Sequence, residues 1–340
     1  MPIFASETLV HTAQLILSAA GTPPDLAEIV ADSLVEANLV GHDSHGVIRL
    51  ESYVALVRAG QVQPAAQPTI VQQSGATARV DAASGWGQPA ARLATQLVSR
   101  LAIEHGVGAV TISNCNHIGR LGEYVASIAA QGLIGLAMCN AGPAVAPYGG
   151  ARRTLGTNPF ACAVPSGPDR DPILVDFATS GVAEGKLRMA RAKGEMIAPG
   201  LLLNSAGQAS TDPADFYAGG VLLPFGGHKG YGLSVMIELL GGALSGKAPA
   251  PLPEYDGGNG TLFLALSIGP FISVEQFIDQ TRRFEDLLKE TPPAAGSSEV
   301  MLPGEPEMRE RRRRIRDGIP VPDQVWVGIQ SLADELQIQI

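Results

Sequence analysis

The sequence is short of several things at once, and each shortage removes a class of function. Its three cysteines, Cys115, Cys139 and Cys162, are odd in number and lack CxxC spacing. Nothing in them points to a disulfide framework or a zinc knuckle, and a reducing compartment fits. Charged residues make up only 17%, with a net charge of -9, which leaves no broad basic face for nucleic acid. The one basic cluster, Arg309 to Arg316, is interleaved with Glu310 and reads as a solvated helix face. No apolar run reaches the length of about 18 residues that a membrane span needs. No basic stretch followed by an apolar one opens the chain, so no signal peptide is expected. These absences describe a soluble, cytoplasmic protein.

Familiar catalytic signatures are missing too. No GxGxxG follows a strand, so the usual Rossmann phosphate fingerprint is absent. Gly241 to Lys247 matches most of a Walker A loop, but Ala248 stands where a magnesium-holding Ser or Thr belongs, and the match ends a helix. It is read as coincidence. No G-x-S-x-G nucleophile elbow occurs.

What is present is a chain of 340 residues with 45% hydrophobic content, enough for one large domain or two to three smaller ones. Residues 1–62 read as helices. Ser6 can cap the first, Pro23-Pro24 opens a second that runs to about Val40, and Asp43 or Ser44 can cap a third. Residues 69–73 and 77–81 read as a hairpin around Ser74-Gly75-Ala76. A helix over 88–105 leads to a strand at 107–112, a helix at 121–131 and a strand at 133–139. That alternation is α/β grammar. Further strands are expected at 160–164, 173–177 and 261–268, a buried helix at 229–244 and an amphipathic one at 274–290. Closing helices at 307–317 and 323–337 suggest that the terminal segments pack together.

Four stretches could carry chemistry. Asn114-Cys115-Asn116-His117 lies between a strand end and a helix start, where open α/β sheets place their ligand crevice and where an imidazole can pass protons near neutral pH. The bland alternative is a surface histidine. In Asp43-Ser44-His45-Gly46, a helix starting here would put His45, Arg49 and Tyr53 on one face, and a guanidinium suits a carboxylate substrate. A capped, solvated helix fits equally, and His42 with His45 is only a weak metal pattern. Gly156-Thr157-Asn158-Pro159 with Asp176-Phe177-Ala178 offers close backbone approach and neutral hydrogen bonds, or plain turn chemistry. Gly226-Gly227-His228-Lys229 before an apolar helix can hold an anion through free N–H groups and the helix dipole, or is a flexible linker.

In combination these segments are more specific. DSHGVIRLESY, NCNHIGRLGEY, GTNPFACAVP, VDFATS, GGHKGYGLSVMIELLGGALSG and LPGEPE, in this order, resemble the malate/L-lactate dehydrogenase family over about residues 6 to 336. The resemblance implies an α/β fold with a non-Rossmann, mixed-sheet NAD(P)-binding domain over 66–299. It also implies a helical domain, for substrate and dimerisation, built from 1–65 with 300–340. It implies hydride transfer between NAD or NADP, with NAD slightly preferred, and a small 2-hydroxy or 2-oxo acid, in a homodimer. His117 matches the catalytic acid/base, assisted by His45. Ser44, Arg49 and Tyr53 match the substrate pocket. Asn140, Ala141, Asp176, Phe177, Ala178, His228, Lys229, Gly304 and Glu305 match cofactor contacts. No metal is implied. Arg152, Arg153, Arg188 and Arg191 are candidates for reading a 2′-phosphate. The rival within the fold is reduction of a cyclic imino acid, and a remote one is a metal-dependent hydrolase using His42, His45 and His117.

Overall fold

The computed structural model describes residues 1–340, all but the side chain of Ala192. Seven strands form the main sheet: β1 (Thr69–Ser74), β2 (Thr77–Asp81), β3 (Val107–Cys115), β4 (Leu133–Cys139), β5 (Phe160–Val164), β6 (Ile173–Phe177) and β7 (Asn259–Ser267). Their order is β1-β2-β3-β7-β4-β5-β6. Only β2 and β3 run parallel; every other neighbouring pair is antiparallel. The parallel pair is joined by the helix Gly87–His105, as a parallel crossover requires. The late strand β7 enters between β3 and β4, setting Phe263 opposite Val110 and Ala137.

β4 alternates buried and half-buried residues along its length, the period-two pattern of a sheet covered more heavily on one face. The covering helices are Gly87–His105 and Leu121–Ala129. They bring Leu97, Val98, Leu101, Val125 and Ile128 onto Val110, Ile112, Ala137 and Phe263. Each such buried Val, Leu, Ile or Phe side chain contributes about 1.5–3 kcal/mol.

A second core joins the two ends of the chain. The helices Ser6–Ala19, Pro24–Leu39 and Leu50–Arg58 pack with Asp323–Glu335 around Leu9, Ile16, Leu34, Leu50, Ile319 and Ile329. Ile3–Phe4 pairs antiparallel with Ile319–Pro320. A third, smaller cluster of Val145, Leu155, Leu187, Leu202, Phe216 and Leu222 lies beside a three-stranded sheet of two-residue strands. Among the described residues no helix is long and apolar enough to cross a membrane.

Four local expectations are corrected. Ser6 is the first residue of its helix, and Ala5, without a side-chain cap, precedes it. The single helix expected from Asp43 or Ser44 is two 3-10 turns, Asp43–His45 and Val47–Arg49, followed by the α-helix Leu50–Arg58. The break is at Gly46, whose backbone is extended. Asn38 fills the space beside it, accepting from the Val47 N–H at 2.9 Å and donating to Asp43 at 2.6 Å. A Cβ on residue 46 would overlap that Asn38 side chain. The helix expected over 229–244 is His228–Ile237, after which the chain widens into a π-type turn, Glu238–Gly242, and a 3-10 turn, Ala243–Ser245. There Glu238 turns inward into a buried polar network and two glycines weaken helical preference. The arginine-rich helix Glu305–Asp317 is not a solvated face throughout. Arg314 is buried and binds Asp43 at 2.6 Å, Arg311 binds Glu36, and Arg312 binds Asp171.

Candidate active site

The loop between β3 and the helix Leu121–Ala129 carries His117 and is tied down along its length. Asn116 Nδ2 donates to the carbonyls of Ser84 and Gly85 at 2.8 and 3.0 Å. Tyr124 donates its hydroxyl proton to the Ile118 carbonyl. Gly87 abuts the loop so closely that a Cβ there would stand 2.5 Å from the carbonyl oxygens of Asn116 and His117. At the far end, Asp176 accepts the Gly122 N–H at 2.7 Å and lies 3.7 Å from the buried Arg120 guanidinium. A carboxylate on the first turn of a helix satisfies an orphan donor and complements the dipole. Burial raises the Asp176 pKa, opposed chiefly by Arg120.

Around His117 the amino-terminal segment supplies four groups. The Tyr53 hydroxyl is 2.7 Å from His117 Nδ1 and accepts from Gln88 Nε2 at 2.7 Å. The rings of His45 and His117 stack with centroids 5.6 Å apart. Ser44 Oγ is 3.0 Å from His45 Nδ1, and Arg49 Nε donates to the Ser44 carbonyl at 2.7 Å. His45, Arg49 and Tyr53 thus converge because two tight turns wrap the chain, not because one helix aligns them. His117 keeps part of its surface open, and Nε2 makes no hydrogen bond among the described residues. Burial, then Arg49, then His45 hold the His117 imidazolium well below its ordinary range. His45 is lowered to about 3 by burial, with Arg49, His42 and Arg120 adding to it. Burial pushes the Tyr53 phenol up to about 12. Both imidazoles are therefore neutral at pH 7, and the phenol keeps its proton.

His42 stands apart from this pair, with Nε2 3.6 Å from Glu307. Among the described residues no group of three His, Cys, Asp or Glu side chains is placed to hold a metal ion.

The expected cofactor segments fall into three situations. Phe177 is 37% exposed and lies between the rings of Phe160 and Phe225, at 5.8 and 5.6 Å. The Phe225 N–H bonds the Thr179 carbonyl at 3.0 Å, so residues 176–179 and the approach to Lys229 lie side by side, with Ala178 between. Lys229 and His228 are exposed at the start of the helix His228–Ile237, and Lys229 makes no ion pair among the described residues. The backbone there differs from the expectation of free donors. The N–H groups of Lys229, Gly230 and Tyr231 bond the carbonyls of Gly226, Phe225 and Gly227, which leaves the ammonium and the N–H groups of Gly227 and His228 for an anion.

Asn140 is different. It is fully buried, its amide bonds Glu238 and the Gly260 N–H, and its carbonyl accepts from Asn259. The Ala141 N–H bonds Asn158 Oδ1 at 3.1 Å, so only its carbonyl is uncommitted. Late in the chain, Gly304 stands at φ 88 before the helix Glu305–Asp317, and the Pro303 carbonyl accepts from Leu174 of β6. The Glu305 carboxylate is engaged by Lys289, Arg309 and the Leu302 N–H. Of the arginines considered for a 2′-phosphate, Arg152 is exposed, Arg153 bonds the carbonyls of Gly220 and Phe216, Arg188 pairs with Glu184, and Arg191 lies over the Tyr217 ring.

Sequence reasoning missed Gln88, Arg120 and Glu238. Glu238 left a faint signal, a lone carboxylate within the apolar run 233–240. Gln88 and Arg120 left none, because only the packing of distant segments buries them.

Comparison with known proteins accords with this geometry. Residues 4–330 match the family model for malate/L-lactate dehydrogenase. A malate dehydrogenase of Pyrococcus abyssi is 35% identical over 335 residues, covering 95% of this chain and 92% of that protein. The solved sulfolactate dehydrogenase of Methanocaldococcus jannaschii superposes with a TM-score of 0.89 at 34% identity, covering 99% of this chain and 98% of that one. A delta1-piperideine-2-carboxylate reductase from Pseudomonas syringae pvar. tomato superposes with a TM-score of 0.85 at 29% identity, covering 98% and 100%. With a family match over residues 4–330, relatives 34% and 35% identical over nearly the whole chain and the same fold, the chain belongs to the malate/L-lactate dehydrogenase family.

Proposed function

We propose that the protein interconverts a small 2-hydroxy acid and its 2-oxo acid with a nicotinamide dinucleotide, using His117 as acid/base and Arg49 as the carboxylate holder. The observation that carries this reading is the convergence of His117, His45 and Arg49 behind a histidine nitrogen with no protein partner. When bound, the dinucleotide supplies or accepts the hydride. Lys229 suits its phosphates, since an exposed ammonium without an ion pair sits at a helix start, and the exposed Phe177 face suits a planar ring. Ala178, His228 and the Gly304 turn lie in the same segments. Asn140, Asp176 and Glu305 support that site by holding its backbone, since their side chains are engaged within the protein.

In the oxidation direction neutral His117 takes the hydroxyl proton at Nε2 while Arg49 fixes the carboxylate. In reduction the imidazolium returns it. His45, neutral and stacked beside His117, can give a second hydrogen bond to the substrate oxygen, and Ser44 orients His45. A carboxylate seated on Arg49 offsets the guanidinium's repulsion and raises His117 towards the range where it can donate.

Several finer features belong to the same proposal. One parallel pair in a seven-strand sheet points to a non-Rossmann mode of cofactor binding. Residues 1–65 with 300–340 act as the substrate and dimerisation unit, and 66–299 as the cofactor unit, in a cytoplasmic homodimer. NAD is favoured over NADP, because three of the four arginines weighed for a 2′-phosphate, Arg153, Arg188 and Arg191, have partners within the chain, while Arg152 is exposed. A second reading, reduction of a cyclic imino acid, is favoured by the piperideine-carboxylate reductase neighbour. That substrate class also places a carboxylate next to the reacting carbon.

The test follows reduced-nicotinamide absorbance with NADH and NADPH separately, against oxaloacetate, pyruvate, a sulfonated pyruvate and a cyclic imino acid. Oxidation with a 2-oxo acid is expected, and oxidation only with the imino acid moves the protein to the second reading. His117→Ala should lower turnover by about 10²–10⁴-fold while cofactor binding, read by fluorescence, persists. Near-wild-type turnover would remove His117 from the chemistry.

A further inference from the structure

Gln88 is fully buried, and its two amide ends are unequal. Nε2 donates to the Tyr53 oxygen, whereas Oε1 has no partner and is sealed from solvent. A buried acceptor left in this way costs about 1–3 kcal/mol. In this sense the chain of bonds runs from Gln88 N–H to Tyr53, and from Tyr53 O–H to His117 Nδ1. A neutral His117 then carries its proton on Nε2, the nitrogen without a protein partner, and cannot accept a proton there.

A half-turn of the amide exchanges its oxygen and nitrogen with almost no change of shape. Oε1 then accepts from Tyr53 O–H, the Tyr53 oxygen accepts from His117 Nδ1–H, and Nε2 presents its lone pair. This arrangement also serves the imidazolium, whose Nδ1–H is unchanged when Nε2 gains a proton. Among the described residues no donor reaches Oε1 as the amide stands, so no bond to the oxygen opposes the half-turn.

We propose that Gln88 is a positioning residue whose amide oxygen, acting through Tyr53, selects the Nδ1–H tautomer of His117 and so makes Nε2 the proton-transferring atom. The inference rests on the reading of His117 as acid/base. In oxidation the substrate hydroxyl proton forms its new bond at Nε2. The Nδ1 proton stays on the ring, and no proton passes through Tyr53 or Gln88. The high pKa of the phenol agrees with a fixed hydrogen-bonding group. Placement is rigid: Gly87 is pressed against the carbonyls of Asn116 and His117, and Gln88 Nε2 stands 3.9 Å from where a Gly119 Cβ would lie. Tyr53, with its hydroxyl held on both sides, is thereby a positioning residue and not a substrate contact.

Nitrogen-15 NMR of the full-length protein without ligand, above neutral pH, reads the tautomer directly. The wild type should show His117 with Nδ1 protonated and Nε2 bare. Gln88→Met, whose thioether is only a weak acceptor, should reverse this and lower kcat by about tenfold or more, with KM within about twofold. Gln88→Glu offers an acceptor oxygen whatever its protonation and should keep the wild-type tautomer and most of kcat. An Nε2–H tautomer in the wild type, or an unchanged tautomer and kcat in Gln88→Met, overturns the proposal. If the Met variant does not fold, the wild-type and Glu spectra still decide. If the wild type turns over no 2-oxo acid, the functional reading fails while the tautomer result stands.

Discussion

At the scale of single residues, the site is a balance of desolvation against charge. His117 and Arg49 are held close, so the guanidinium adds to burial in keeping the imidazole neutral. For a base this has a definite sign. The neutral form persists as pH falls below 6.5 and is lost only near the lowered pKa. The acidic limb of kcat/KM for 2-hydroxy-acid oxidation should therefore lie below pH 6.5, since that profile reports the free enzyme's essential base. A limb at or above 7 would contradict the burial argument. Arg49→Lys keeps the charge but loses the planar fork, and should raise KM for the acid roughly tenfold with a smaller change in kcat. An unchanged KM would place the carboxylate elsewhere.

At the scale of elements, loops are positioned by side chains from other strands. Asp176 at the end of β6 holds the first turn of the helix Leu121–Ala129, and with it the His117 loop. Asp176→Ala would strip the Gly122 N–H of its acceptor and leave Arg120 buried without its carboxylate. A loss of about 3 kcal/mol or more in unfolding free energy is expected, from removal of one partner of a buried pair. Asp176→Asn, which keeps an acceptor, should lose less. Denaturant melts of the two variants check the order, and equal losses would assign the effect to the charge alone. Elsewhere, Asn38 and Gly46 together explain why residues 43–49 form two tight turns. The apolar spacing that suggested one helix was real, but a side chain from the preceding helix competes for the same backbone.

At the scale of the molecule, this oxidoreductase of the 2-hydroxy-acid family combines a sheet core with a helical core made from both chain ends. The helix Val274–Lys289 and its approach expose Phe271, Phe284 and Leu287, at 76%, 57% and 64%. Phe284 and Leu287, three residues apart, share one exposed face of that helix. If this face extends the dimer contact beyond the terminal unit proposed above, light scattering should give twice the monomer mass for the wild type. The double change Phe284→Glu and Leu287→Glu should shift it towards one subunit. A dimer unaffected by these charges would confine the interface to the terminal unit.

The sequence by itself determined the strands of the main sheet and the helices that cover it, the hairpin at Ser74-Gly75-Ala76, the strand-to-helix loop that carries His117 and the family, because these depend on local periodicity, turn residues and linear motif order. It also marked His45, Arg49 and Tyr53 as neighbours in the chain. Only the tertiary structure decided that β7 lies between β3 and β4, that Arg314 is buried against Asp43, that Asn140 and Asp176 brace the backbone, and that Gln88 stands behind Tyr53. Each of these joins residues far apart in sequence, and the free energy that selects them comes from burying and pairing groups that no local pattern records.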